Sequence, residues 1–315
     1  MKETFPTDRV RPRRRITGIS AVLVPYTEDR EIDWAAFEAH VERTHAAGLV
    51  PAVNMDTGYV QLLDENDRTA ALECAAKVTS RNFVAGAYVA DRPGTPVDLD
   101  GYRRRCEEIT GLGGTPVIFP SHGLNALDDE EWVAGLATIG DAVDRFIGFE
   151  LGPMFVPYGR IVSLDAYAAM MEIASCVGAK HSSLNRAAEW ERLALRDRLR
   201  PDFAVYTGND LAIDMVMYGS DYLLGVSTFA PDLFAARDAM WEAGESEFFE
   251  LNDLLQYLGQ FAFRPPVPAY RHDAAMFLEL RGWARTDATP PGVERRPASD
   301  RAVLEDILQR FEAWT

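Results

Sequence analysis

The chain has 315 residues, 47% of them hydrophobic, with a formal net charge of −17 and an isoelectric point near 4.7. That length is large for one domain unless the domain is an α/β barrel or carries appendages. So acidic a composition argues against nucleic acid or an anionic membrane surface as partner, since both are polyanions. Three cysteines, Cys74, Cys106 and Cys176, are odd in number and show no CxxC spacing, which predicts reduced thiols in a cytoplasmic protein and no zinc site.

The first segment, "MKETFPTDRVRPRRR", carries an arginine run ahead of an apolar stretch that ends at Pro25. The apolar part is too short for an export signal and no small-residue cleavage pattern follows it. Residues 1–15 are therefore expected to form a solvated arm or a subunit contact. No segment approaches the roughly 20 apolar residues of a membrane span.

Eight short apolar runs follow in order: "GISAVLV" from residue 18, "LVPAVN" from 49, "FVAGAYV" from 83, "TPVIFP" from 115, "FIGFEL" from 146, "CVGAK" from 176, "FAVYTG" from 203 and "DYLLGVS" from 221. Helical patterns with start signals separate most of them. Asp33 precedes Trp34, Phe37 and Val41 at helical spacing, and Asp64, Asp128 and Ser163 open three further amphipathic stretches. Strands alternating with single helices imply βαβ units and a parallel sheet. Eight of them predict a (β/α)₈ barrel over residues 16–243, with a doubly wound sheet as the alternative. The least regular unit lies between the seventh and eighth strands. Residues 244–315 are read as a helical appendage and not an independent domain.

Lysine occurs only at positions 2, 77 and 180, against 29 arginines. Lys180 ends the run "CVGAK", where an ammonium is costly to bury. Strand alternation puts Cys176, Gly178 and Lys180 on one face and Val177 and Ala179 on the other, which aims Lys180 into the barrel mouth. A strand-end lysine reaching to solvent is the plain alternative. A guanidinium would serve for charge alone but cannot attack a carbonyl, whereas a desolvated amine can form a Schiff base. Parity applied to "RFIGFEL" groups Phe146, Gly148 and Glu150, and so predicts Glu150 at the same mouth as acid or base, or else as half of a structural ion pair. Asn54 to Tyr59, "NMDTGY", follows the second strand, where the Thr57–Gly58 turn can present backbone N–H groups. His122 in "FPSHG" follows the fourth and is a candidate proton shuttle.

With these residues assembled, the chain resembles the dihydrodipicolinate synthase and N-acetylneuraminate lyase family of Schiff-base aldolases. The resemblance rests on "GISAVLVPYTEDREIDWAAFEAHVERTHAAGLVPAVNMDTGY", on "VGAKHSSL", on "YTGNDLAIDMVMYGSDYLLGVSTFAPDLF" and on "PVPAYRHDAAMFLELRGW". It implies a (β/α)₈ barrel, the Schiff-base role for Lys180, no cofactor, a small carbonyl substrate, and a dimer or tetramer. It also implies substrate contacts from Thr57, Gly58, Arg160 and Asn209, and Asp56, which departs from the family's loop, is expected to accept a hydrogen bond from the substrate. Two departures stand out. The family's Gly-Thr-Thr-Gly-Glu loop reads Met55-Asp56-Thr57-Gly58-Tyr59, and the relay tyrosine after the fifth strand falls on Glu150 or on Met154. The expectation is a lyase or aldolase for a carbonyl compound other than free pyruvate. An imine-dependent dehydratase of a sugar acid and a non-catalytic metabolite-binding barrel are the alternatives.

Overall fold

A computed structural model describes residues 6–314. Its strands are β1 (Gly18–Ala21), β2 (Val50–Val53), β3 (Val84–Ala87), β4 (Thr115–Ile118), β5 (Phe146–Leu151), β6 (Cys176–Ser182), β7 (Ala204–Thr207) and β8 (Asp221–Leu224). They pair in parallel and in sequence order, β8 closing on β1, so the sheet is a closed barrel. The helices are α1 (Trp34–Ala46), α2 (Glu65–Val78), α3 (Leu99–Gly111), the short α4 (His122–Asn125), α5 (Asp129–Gly140), α6 (Leu164–Glu172), α7 (Arg186–Leu199) and α8 (Pro231–Ala243). Beyond the barrel come α9 (Glu247–Ala262), α10 (Tyr270–Leu280) and α11 (Asp300–Phe311). The irregular crossover between β7 and β8 is a 3₁₀ segment, Ile213–Tyr218, in place of a full helix.

The start signals act as capping predicts. Asp33, Asp64 and Ser163 each accept a backbone N–H from the first turn of their helix, and Asp128 with Glu131 forms a reciprocal capping box. Each such cap stabilises its helix by about 1 kcal/mol. Ile19, Ala52, Val84, Val117, Ile147, Phe149 and Leu223 form the packed inner cluster, while the larger cluster lies between barrel and helices.

Arg11 and Arg14 of the N-terminal arm pair with the barrel, while most of the residues from 7 to 15 are exposed. Arg14 pairs with Asp221 at 2.9 Å where β8 begins, Arg11 with Asp197 of α7 at 3.1 Å, and Trp241 donates to the Arg11 carbonyl. Carboxylates at the strand and helix layer attract the arm to this chain's own surface. Residues 1–5 lie outside the described residues. Among the described residues the cysteines form no disulfide, and no helix is long and apolar enough to cross a membrane.

Two parity expectations need correction. In the β5–β6 register Phe146 pairs with Cys176, but Ile147 pairs with Gly178, so Val177 is an extra residue in β6. This bulge flips the alternation: Cys176 packs in the outer cluster, while Val177 packs against the inner one. Gly178 and Lys180 keep the inward direction. In β5 the inward residues are Ile147, Phe149 and Leu151, and Phe146 and Glu150 face the helices. A Cβ on Gly148 would come within 2.6 Å of Met170 Sδ in α6, so this glycine admits a helix and does not open the barrel interior.

Candidate active site

Lys180 stands at the C-terminal end of β6, only 4% exposed. Its Nζ lies 4.5 Å from the centre of the Phe149 ring, and Phe149 packs edge-on against Phe119. The amine therefore rests on an aromatic floor with little to solvate it. Gly208, just past β7, provides the space: a Cβ there would sit 2.9 Å from Lys180 Cε.

The nearest carboxylate is Asp56, whose Oδ1 is 3.8 Å from Nζ. That oxygen is buried with no hydrogen bond. The other, Oδ2, accepts from the Tyr270 hydroxyl at 3.2 Å, and Tyr270 in turn lies 2.8 Å from Thr57 Oγ1. Since Tyr270 donates to the carboxylate, Thr57 donates to Tyr270, giving a chain from Thr57 through Tyr270 to Asp56 and on to Lys180. Burial, and then the charge of Asp56, push the Tyr270 phenol well above its ordinary value, so it stays a donor.

Tyr270 comes from the first turn of α10, stacked on Phe263 at 4.1 Å, so the C-terminal helices complete the site. Its segment was legible only as a helix, and no local signal in "PVPAYRHD" points to the barrel mouth. Asp210, the other residue missed, follows β7 and is fully enclosed. Burial raises its carboxyl to about 7, against the pull of the Val226 N–H at 2.7 Å and of Lys180, with Asp56 adding to the rise. Thus one amine and two carboxyls share one small volume.

Asn54 and Tyr59 both adopt positive φ, 53° and 58°, flanking Asp56. Asn54 Oδ1, Tyr59 Oη and Gln61 Oε1 are buried without partners. Positive φ at a non-glycine residue and an unpaired buried polar atom each cost free energy. Gly58 differs from the expectation of a ligand-facing turn. Its N–H bonds the Met55 carbonyl at 3.0 Å, and a Cβ would come within 2.9 Å of the Val22 carbonyl, so it serves close packing.

Other expected residues lie elsewhere. Glu150, 1% exposed, accepts from Arg192 at 2.7 and 2.6 Å, from the Val162 N–H at 3.1 Å and from His181 Nδ1 at 2.7 Å. It is turned away from Lys180, which corrects its placement at the mouth. Burial raises its carboxyl, but Arg192 and His181 outweigh this and hold it below the ordinary value. His181 Nε2 continues to Ser183 Oγ at 2.7 Å. The order serine, histidine, carboxylate is that of a hydrolytic triad, but Arg192 occupies both carboxylate oxygens and Asn185 N also bonds the Ser183 hydroxyl. The assembly is a strut joining β5, β6 and α7.

Arg160 binds Asp129 and the Leu127 carbonyl at the start of α5, not Asp56. His122 opens α4, its N–H bound to Asp91, and its ring lies 4.2 Å from that of Tyr158. Asn209 is buried beside Asp210, its Oδ1 accepting from the Leu211 N–H. Tyr158, in the loop after β5, is a second tyrosine near the mouth, besides Tyr270. Burial raises its phenol, followed by Tyr88 and Asp91, and Asp56 contributes. Its neighbour Arg160 in "PYGR" was the signal that could have found it.

No family model matches the chain, and no curated protein matches it. Among solved structures it is similar to the dihydrodipicolinate synthase of Rhodopseudomonas palustris, at 18% identity over 95% of this chain and 98% of that one, with a TM-score of 0.78. The dihydrodipicolinate synthase of Thermotoga maritima aligns at 17% identity over 94% and 99%, with a TM-score of 0.76. A sialic acid aldolase of Ruminococcus gnavus, in a catalytic lysine mutant, aligns at 14% identity over 93% and 95%, with a TM-score of 0.75. The chain therefore has the fold these enzymes share, barrel and C-terminal helices together.

Proposed function

We propose that the chain is a class I aldolase or lyase that forms an imine between Lys180 and a small carbonyl compound. The observation that carries this reading is the placement of Lys180: an amine on an aromatic floor at a strand end, 3.8 Å from an otherwise unpartnered carboxylate oxygen. The ammonium gives a proton to the Asp56 and Asp210 cluster, and its lone pair attacks the carbonyl carbon. The carbonyl oxygen gains two protons in all and leaves as water, while C=N⁺ forms. Electrons then flow into the imine to give an enamine, either from the Cα–Cβ bond, whose Cβ fragment gives its hydroxyl proton to the acidic cluster and leaves as an aldehyde or ketone, or from a Cα–H bond, whose proton passes to that cluster. Protonation of the enamine and addition of water return the amine. The Thr57–Tyr270–Asp56 chain supplies the proton path that the relay tyrosine supplies in the resembled family.

The test is incubation of wild type with aldehydes and ketones plus borohydride, followed by peptide mass mapping. An adduct on Lys180 is expected. Adducts confined to Lys2 or Lys77, or none with any carbonyl compound, would remove the reading.

Free pyruvate should label poorly. Its carboxylate would lie near Asp56, and like charges about 4 Å apart repel by about 4 kcal/mol at an effective dielectric of 20. Lys180 neutralises Asp56 in the free site, but a bound carboxylate would still make two anions around one cation. Asp56→Thr should label more strongly with pyruvate than wild type, and efficient wild-type labelling at micromolar pyruvate would refute the charge argument.

Asp210 gives a pH dependence of opposite sign in activity and stability. A carboxyl near 7 adds a limb to the rate profile around neutrality. Folding raises its affinity for the proton, so its favourable contribution is complete below the unfolded value near 4 and is lost as pH rises through about 7. Asp210→Asn keeps an oxygen for Val226 and cannot ionise. It should flatten the limb, lower the rate, and be more stable than wild type at pH 8, by up to about 4 kcal/mol. Urea melts and rate profiles from pH 5 to 9 check both.

A further inference from the structure

A cavity of about 280 Å³ opens above Asp56. Asp56, Tyr270, Phe155, Val156 and Arg271 are among the residues that line it. Arg271 follows Tyr270 in α10, so the residue that completes the proton chain and the cavity's cation are neighbours in sequence. Arg271 makes no ion pair among the described residues. It donates to the Pro268 carbonyl at 3.0 Å and the Asp56 carbonyl at 3.4 Å, with its guanidinium over the Tyr59 ring. Asp56 spans the interval: its backbone oxygen touches Arg271 and its carboxylate faces Lys180. The cavity's second acid is Glu294, exposed at the rim, whereas Asp56 already faces Lys180.

We propose that this cavity is a subsite for an oxyanion at the far end of the substrate, a carboxylate or a phosphate, received by Arg271. The proposal rests on the imine reading for the substrate's other end. It assigns the substrate class: a small carbonyl compound whose anion is separated from the reacting carbon by about one aspartate side chain and two contacts. A guanidinium with donors unspent on carboxylates matches the fork geometry of such oxyanions. An anion on Arg271 lies toward the backbone oxygen of Asp56 and not toward its carboxylate, which leaves the carbonyl end free of a charge and agrees with the expected exclusion of pyruvate, whose carboxylate adjoins its carbonyl.

The probes are succinic semialdehyde against butanal, and glycolaldehyde phosphate against glycolaldehyde, each trapped on Lys180 by borohydride. Wild type should favour the charged member of at least one pair by about 10- to 100-fold in half-saturating concentration, and the pair that shows it identifies the anion. Arg271→Met should abolish that preference, lowering trapping of the charged member far more than that of the neutral aldehyde. Arg271→Lys should restore part of it, and Glu294→Gln should increase it. A role confined to holding the β2 loop would lower trapping of both members alike. Equal trapping of both in wild type, or an unchanged preference in Arg271→Met, overturns the proposal. If no aldehyde labels Lys180 the imine reading fails by itself, and titration calorimetry with succinate and inorganic phosphate decides the subsite. Binding lost in Arg271→Met supports it, and binding that is absent or unaltered overturns it.

Discussion

Lys180→Arg is expected to abolish borohydride trapping and to lower turnover by about 10⁴-fold or more, with the fold retained. The arginine keeps a cation opposite Asp56, so the charge balance of the mouth survives, but a guanidinium does not deprotonate and cannot attack a carbonyl. On the imine reading, loss of the amine removes the covalent route as a whole, which is why the expected effect is large and does not divide among the neighbours. The longer side chain must fit beside Gly208, where the space is tight, so circular dichroism and a thermal melt accompany the assay. Residual turnover within tenfold of wild type would mean that the amine is not the reacting group.

Glu150→Ala should destabilise the protein by about 3–5 kcal/mol, because it leaves the Arg192 guanidinium buried without its carboxylate. His181 Nδ1 and the Val162 N–H lose their acceptor as well. The urea midpoint measures the change. The pH dependence follows from the held-down carboxyl: its stabilisation is present above the unfolded value near 4.5 and is lost as pH falls through the lower folded value. Trapping at Lys180 per folded molecule should stay near wild type, since the carboxylate points away from the mouth. A turnover loss of about 10²-fold at unchanged stability would instead restore an acid–base role for Glu150.

Much of the architecture was legible because short-range chemistry writes it locally. Seven of the eight apolar runs contain their whole strand and the sixth contains all but its last two residues, and Asp33, Asp64, Asp128 and Ser163 each cap the helix they precede. The singular lysine was legible for a different reason: in an arginine-rich chain, an amine at an apolar strand end is a chemical choice.

What sequence could not determine was the phase of β5 and β6. Alternation sets which residues share a face, but one extra residue, Val177, reverses it, and no composition rule marks that bulge. In β5 the grouping of Gly148 with Glu150 left open which face meets the helices; only the packed helix, with Met170 against Gly148, decides. Arg160 and Glu150 could both be read as site charges, until Asp129 and Arg192, distant in sequence, claimed them. Tyr270 lies 214 positions from Asp56. Thus this sequence by itself determined the barrel, its caps and the amine, through periodicity and capping that act within a few residues. Only the tertiary structure decided which acids meet that amine, because burial and long-range pairing are properties of the closed barrel with α10 docked on its mouth.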